Sequence, residues 1–267
     1  MKPINSGAFS YVDYQSRLFS LLGSRGYEAD VISFDGNFAD YPVVIVPTAF
    51  VMSRKIQKKL ETYVRNGGTL IATFLTSAKD ECNTGYTDSL PAGLTEVFGV
   101  TVEEVDPVYE DNRTALRLIN EEPEAEQNAE FGVGKDHIWS ELLQGEAKPL
   151  GIYTEDYKTG KMVISSHRYG RGRAVYLGTD LPDEQMGELL CKLAKEAGAE
   201  PLPMKLPAGT QAFSRRLDGK EFFFLFNFSP DAVTIPLCRP MRDFLKEKPE
   251  ATEVRLEKNG FAVLSGQ

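Results

Sequence analysis

The segment from Tyr41 to Leu75 constrains the fold more than any other. YPVVIVP is a short, unbroken run of β-branched residues bounded by prolines, which predicts a strand buried on both faces, as in a parallel sheet. Ser53 then stands where an N-cap belongs, ahead of RKIQKKLETYVRN, whose Ile56, Leu60, Tyr63 and Val64 share one face of a helix. Asn66, Gly67 and Gly68 supply a left-handed stop, and TLIATFL follows as a second buried strand. Strand, helix and strand in this order predict parallel pairing, and hence an α/β sheet domain.

The flanks extend this pattern. Tyr14, Leu18, Leu21 and Leu22 lie on one face of a helix over residues 11–25, and a short strand, ADVISF, is expected after it. DSLPAGLTEVFG reads as a short helix and VTVEEVDP as a strand end. NEEPEAEQNAE is too polar to bury and predicts an exposed loop. KMVISSHRYGRGRAVYLGTD reads as two strands joined at Tyr169-Gly170-Arg171-Gly172. DEQMGELLCKLAKEAG is the clearest helix, with Met186, Leu189, Leu190, Leu193, Ala194 and Ala197 forming its apolar face.

Composition shifts at Glu200-Pro201-Leu202-Pro203, where we place a boundary between a domain over 1–200 and another over 201–267. The second part holds short strand patterns separated by Asp218-Gly219, Ser229-Pro230 and Asn259-Gly260, which predict a small antiparallel β sandwich or partial barrel. The run Phe222 to Phe226 alternates between strand faces, so both faces call for cover.

Charge and residue counts narrow the function. A net charge of -9 disfavours nucleic acid, whose binders neutralise phosphates. No apolar run approaches the roughly 20 residues of a membrane span, and MKPINSGAFSYVDY lacks an apolar signal core, so a cytoplasmic location is expected. The 3 cysteines, Cys82, Cys191 and Cys238, are widely spaced and suggest unlinked thiols rather than disulfides or zinc; no metal or cofactor motif occurs. YGRGR lacks phosphate-loop spacing and reads as a hairpin turn.

Catalytic groups are sparse. A glycosidase sets two carboxyl groups across the scissile bond. Glu103, Glu104 and Asp106, or the run Glu121 to Glu126, are the available acids, but adjacent strand residues face opposite ways and the run lies in a loop. A nucleophile elbow would fall at the end of TLIATFLTSAKDEC, where Ser77 or Cys82 could serve, with His137 and His167 the only bases of their type. Neither G-x-S-x-G nor G-x-C-x-G is present. The single tryptophan, Trp139, offers little for sugar stacking. A stand-alone carbohydrate-binding protein and an amidotransferase-like hydrolase using Cys82 remain alternatives.

The order and spacing of YPVVIVPTAFVMSRKIQKKLETYVRNGGTLIATFLTSAKDECNTGYTDSLPAGLTEVFGVTVEEVDP, HRYGRGRAVYLGTDL, RRLDGKEFFFLFNFSPDAVTIPL and VRLEKNGFAVLSG resemble the C-terminal half of glycoside hydrolase family 42 β-galactosidases. The resemblance implies a flavodoxin-like domain, similar to class I glutamine amidotransferases without their Cys–His pair, that assembles trimers, followed by a small β domain. It also implies that the catalytic glutamates lie on a TIM barrel, which needs about 250 residues of its own. This chain is therefore expected to act as a non-catalytic oligomerisation module, with self-association into a homotrimer and galactosides as a further possible partner. Members of the family usually place a strand before the first helix, and only eight residues precede Phe9 here, so a truncated or stand-alone form is expected. Phe50, Thr76, Ser77 and Asp80, at the carboxyl ends of the expected strands, are the residues expected to rim a neighbouring subunit's active site.

Overall fold

A computed structural model describes residues 9–107, 114–119, 130–133, 139–246 and 250–266. The backbone forms two compact units, Met1–Gln15 with Ser33–Met186, and Ser16–Ile32 with Gly187–Gln267. The helix α1 (Tyr11–Gly23) contributes to both, as does α4 (Asp183–Glu196).

In the first unit, β1 (Val43–Val46) and β2 (Thr69–Thr73) pair in parallel, with α2 (Arg54–Arg65) as the crossover. Ser53 caps α2 as expected, its Oγ accepting the Ile56 N–H at 3.4 Å. Leu60 and Val64 are completely buried, each contributing roughly 1.5–3 kcal/mol by leaving water. Gly68 is required where α2 turns into β2: a Cβ there would lie 2.2 Å from the Tyr63 ring. That ring is fixed by its hydroxyl, which donates to Tyr41 O at 3.0 Å and Thr69 O at 3.3 Å.

The sheet continues from β2 to β9 (Gly172–Leu177), again in parallel. Beyond β9 every pairing is antiparallel: β8 (Met162–Tyr169), then β7 (Lys148–Tyr153), β4 (Thr114–Leu118) and β5 (Glu130–Val133). A branch of β6 (Trp139–Gly145) and β3 (Val100–Pro107) joins at β8. The domain is thus mixed rather than a parallel sheet. Parallel neighbours need a crossover of a dozen or more residues, usually a helix. Between β2 and β9 the only α-helix among the described residues is the short α3 (Thr95–Phe98), and close connections such as Tyr169–Gly172 return strands antiparallel.

Two local expectations are corrected. ADVISF forms no strand: Val31 is 81% exposed, and the following loop is held instead by Lys59, whose Nζ donates to Phe34 O at 2.6 Å and Gly36 O at 2.5 Å. Among the described residues β1 consequently pairs only with β2, and only alternate residues, Val44 and Val46, are buried. Burial on both faces belongs to β2, flanked by β1 and β9. NEEPEAEQNAE lies almost wholly outside the described residues.

The second unit contains one five-stranded antiparallel sheet: β10 (Thr210–Leu217), β11 (Lys220–Asn227), β14 (Phe261–Gly266), β12 (Val233–Asp243) and β13 (Ala251–Leu256), in that order across the sheet. It is a continuous sheet rather than two stacked ones, because β12 pairs with β13 on both sides of a register shift between Pro236 and Met241 and, past that shift, also with β14 through Arg242 and Asp243. All five strands feed one core, including Ala212, Phe223, Ile235, Leu256 and Leu264. The aromatic run covers only one face fully: Phe223 and Leu225 are buried, while Phe222, Phe224 and Phe226 are half-buried. Phe226 instead stacks on the exposed Phe228 and Phe261.

Candidate functional site

In open α/β sheets ligands gather at the carboxyl ends of the strands. Here the loops leaving β1 and β2 are stitched together by Ser77 N donating to Ala49 O (2.8 Å), Lys79 N to Phe50 O (2.9 Å) and Met52 N to Lys79 O (2.8 Å). Three residues other than glycine adopt left-handed backbone at this point: Thr48 (φ 44°), Leu75 (φ 60°) and Ser77 (φ 59°). Such strain persists only where surrounding contacts over-determine it. Thr73 does so at Thr48, its Oγ1 accepting the Thr48 N–H at 2.8 Å. At Leu75 the N–H donates to Glu141 Oε1 at 2.8 Å.

The residues expected at the rim divide into two kinds. Thr76 and Ser77 are completely buried. Thr76 Oγ1 donates to Thr73 O at 2.6 Å; Ser77 Oγ accepts from Gln57 Nε2 at 2.8 Å and donates to Ala92 O at 2.9 Å. Phe50 and Asp80 are half-buried. The Lys79 ammonium sits 5.3 Å from the Phe50 ring centre, and Asp80 Oδ1 accepts the N–H groups of Cys82 (2.9 Å) and Thr84 (2.8 Å). Beside them Tyr86 donates to Met52 O at 2.8 Å under the Arg54 guanidinium, which also bonds Asp88 at 2.7 Å.

A hydrolytic nucleophile needs a base within hydrogen-bond reach. The hydroxyl of Ser77 is committed to Gln57 and Ala92. Cys82 is exposed on the loop. His167 is engaged elsewhere, Nδ1 lying 3.0 Å from Val97 O and Nε2 3.6 Å from Glu146. His137 and Glu121 to Glu126 lie outside the described residues.

The β3 acids also have partners. Glu104 accepts from Tyr157 at 3.0 Å, Asp106 pairs with Lys158 at 2.5 Å, and Glu103 lies 3.5 Å from Lys161. A register shift between Val102 and Glu104 interrupts the expected alternation, so neighbouring acids meet partners in a single turn, residues 157–161. Trp139 is buried and presents no stacking surface. Tyr169-Gly170-Arg171-Gly172 is the expected hairpin turn.

Sequence reasoning missed the two buried charges behind this end of the sheet. Glu141 has no exposed surface; desolvation raises its carboxyl to about 7, against hydrogen bonds from Leu75 and Tyr176 that lower it. Its only signal was a glutamate inside the otherwise buried stretch WSELL. Lys158 is 3% exposed and donates to Ser140 Oγ at 3.0 Å as well as to Asp106; nothing in EDYKTG marks it.

Residues 4–200 match the family model for the β-galactosidase trimerisation domain, and residues 209–266 that for the β-galactosidase C-terminal domain. The chain is 28% identical to β-galactosidase BglY of Alicyclobacillus acidocaldarius over 92% of its own length and 36% of that protein. It is also 28% identical to β-galactosidase Pbg of Clostridium perfringens, over 95% of this chain and 37% of that one. The fold matches the β-galactosidase of Bacillus circulans sp. alkalophilus with a TM-score of 0.88 at 23% identity, covering 98% of this chain and 38% of that chain. The enzyme of Rahnella sp. R3 gives 0.87 at 23% identity, covering 100% and 38%. The chain therefore spans a little over a third of the relatives it matches and, bearing the trimerisation and C-terminal domains in order, belongs to the glycoside hydrolase family 42 β-galactosidases, matching the C-terminal part of the family's members.

Proposed function

We propose that this chain is the assembly module of a β-galactosidase, forming a homotrimer that frames active sites carried on separate TIM-barrel domains. The parent reaction is hydrolysis of terminal, non-reducing β-D-galactosides, and the barrel supplies the reacting carboxyl groups. The observation that carries this reading is the match of residues 4–200 to a trimerisation domain. It is supported by the strand-end loops, where Ser77 is spent on internal hydrogen bonds. Phe50 and Asp80 face a neighbouring subunit as the rim, and buried Thr76 and Ser77 hold the loops that present them. The β1–β2–β9 core with α2 is a flavodoxin-like, amidotransferase-like remnant. The domain boundary falls near Glu200-Pro201, supported by family-model limits of 200 and 209. The reading places the assembly in the cytoplasm; no helix among the described residues is long and apolar enough to cross a membrane.

The test is the mass of the purified chain in solution, with hydrolysis of a chromogenic β-galactoside measured on the same sample. A trimer without turnover is expected. A monomer at all concentrations, or turnover that survives repurification, would overturn the reading.

A further inference from the structure

At the hairpin end of the second unit's sheet lies an open cleft of about 450 Å³, lined by Arg216, Lys220, Arg239, Arg242, Glu221 and Glu250. The hairpin that builds it turns through Asp218 (φ 49°) and Gly219 (φ 76°), which sets Arg216 directly across from Glu221. Glu221 organises the cations: Oε1 accepts from Arg216 Nη2 at 3.2 Å and Oε2 from Arg239 Nη2 at 3.3 Å. One carboxylate thus holds two guanidiniums side by side. Arg242 approaches from β12, opposite Ser265 of β14, which also lines the cleft. Arg242 and Lys220 form no ion pair among the described residues.

Among the described residues four cationic side chains face two carboxylates, a local surplus of two positive charges in a chain whose net charge is -9. Like-charged side chains crowd together at a cost unless an anion joins them, and guanidiniums bind phosphoryl oxygens through paired N–H groups. From this geometry we infer that the cleft is a binding site for a phosphate monoester, a dianion at neutral pH whose charge equals the surplus. The opening lies within the ~300–1,000 Å³ range of small-molecule sites, so the occupant is a small phosphorylated molecule rather than a polymer. Ser265 supplies a neutral donor for the ester or a neighbouring hydroxyl. The inference does not depend on the assembly role proposed above.

Calorimetric titration of the whole chain at neutral pH with methyl phosphate, methyl sulfate, inorganic phosphate and galactose 6-phosphate tests it. Methyl phosphate should bind about fivefold or more tightly than the singly charged methyl sulfate. Inorganic phosphate binding as tightly as the sugar phosphate would make the free ion the occupant; a tighter sugar phosphate would make it the ester. Arg242→Gln should weaken methyl phosphate about tenfold with unchanged thermal midpoint, whereas Lys192→Gln on the exposed face of α4 should leave it unaltered. No methyl phosphate binding, equal binding of methyl sulfate, or an unaffected Arg242→Gln variant would overturn the assignment.

Discussion

Tyr176 donates its hydroxyl to Glu141 Oε2 at 2.8 Å, joining the last parallel strand to the antiparallel branch beneath the β2 turn. Burial pushes the Tyr176 hydroxyl well above its ordinary range and, with the carboxylate beside it, keeps the phenol protonated. The pair is a fixed strut between two halves of the mixed sheet.

The strut makes stability pH-dependent with a definite sign. The Glu141 carboxyl titrates near 7 in the fold, against an ordinary 4.5. Between those values the unfolded chain releases a proton that the folded chain keeps, so this group's contribution falls as pH rises from about 4.5 to 7 and is level above. The loss amounts to about 3 kcal/mol. Glu141→Gln, which stays neutral, should remove that slope, so its stability relative to the parent should improve from pH 5 to pH 8 in urea unfolding. Parallel pH profiles for the two proteins would refute this.

Lys158 is enclosed with Asp106 as its only salt-bridge partner among the described residues. Asp106→Ala leaves a buried ammonium with the Ser140 hydroxyl and the Tyr153 and Tyr157 rings but no carboxylate among the described residues, and should lower stability by about 2–3 kcal/mol, less than for a fully buried pair because Asp106 is partly solvated. Adding Lys158→Met should recover most of that loss. Equal instability of the single and double variants would show that the pairing does not matter.

Gly172 has no room for a side chain. A Cβ would lie 2.2 Å from Val64 O and 2.3 Å from Gly68 O, both backbone atoms that cannot swing aside. Gly172→Ala should destabilise by about 3 kcal/mol. Gly160→Ala meets nothing within 4 Å but sits at φ 79°, so strain alone should cost it about 1 kcal/mol. The two thermal midpoints, measured together, separate steric contact from strain.

Thiol reactivity discriminates an assembly module from an amidotransferase-like hydrolase. Cys82 and Cys238 are exposed, while burial raises the half-buried Cys191 thiol. Alkylation by iodoacetamide should therefore modify Cys82 and Cys238 at similar rates and Cys191 slowest. A Cys82 rate far above that of Cys238 would point to an activated nucleophile.

Much of the fold could be read directly from residues. Leu60 and Val64, Met186 and Leu190, and the stops at Gly67 and Gly198 follow from helical spacing and left-handed glycine, both local properties of the chain. The hairpin at Tyr169–Gly172 and the C-terminal strands were legible for the same reason. Local pattern also separated Phe50 and Asp80 from the strands they follow, though it did not distinguish these half-buried positions from Thr76 and Ser77, which the packing takes inside.

What the tertiary structure alone decided was everything set by distant partners. Val31 and Ile32 have a strand-like pattern but pair with no strand among the described residues, and they remain in a loop. Glu103 and Glu104 were assigned to opposite faces by strict alternation, which a register shift against β6 interrupts. Glu141 and Lys158 are ionisable groups whose enclosure depends on Leu75, Tyr176, Asp106 and Ser140, distant in sequence from the groups they bond. Periodicity records which side of an element is apolar; only the assembled sheet determines which polar groups are enclosed and what neutralises them.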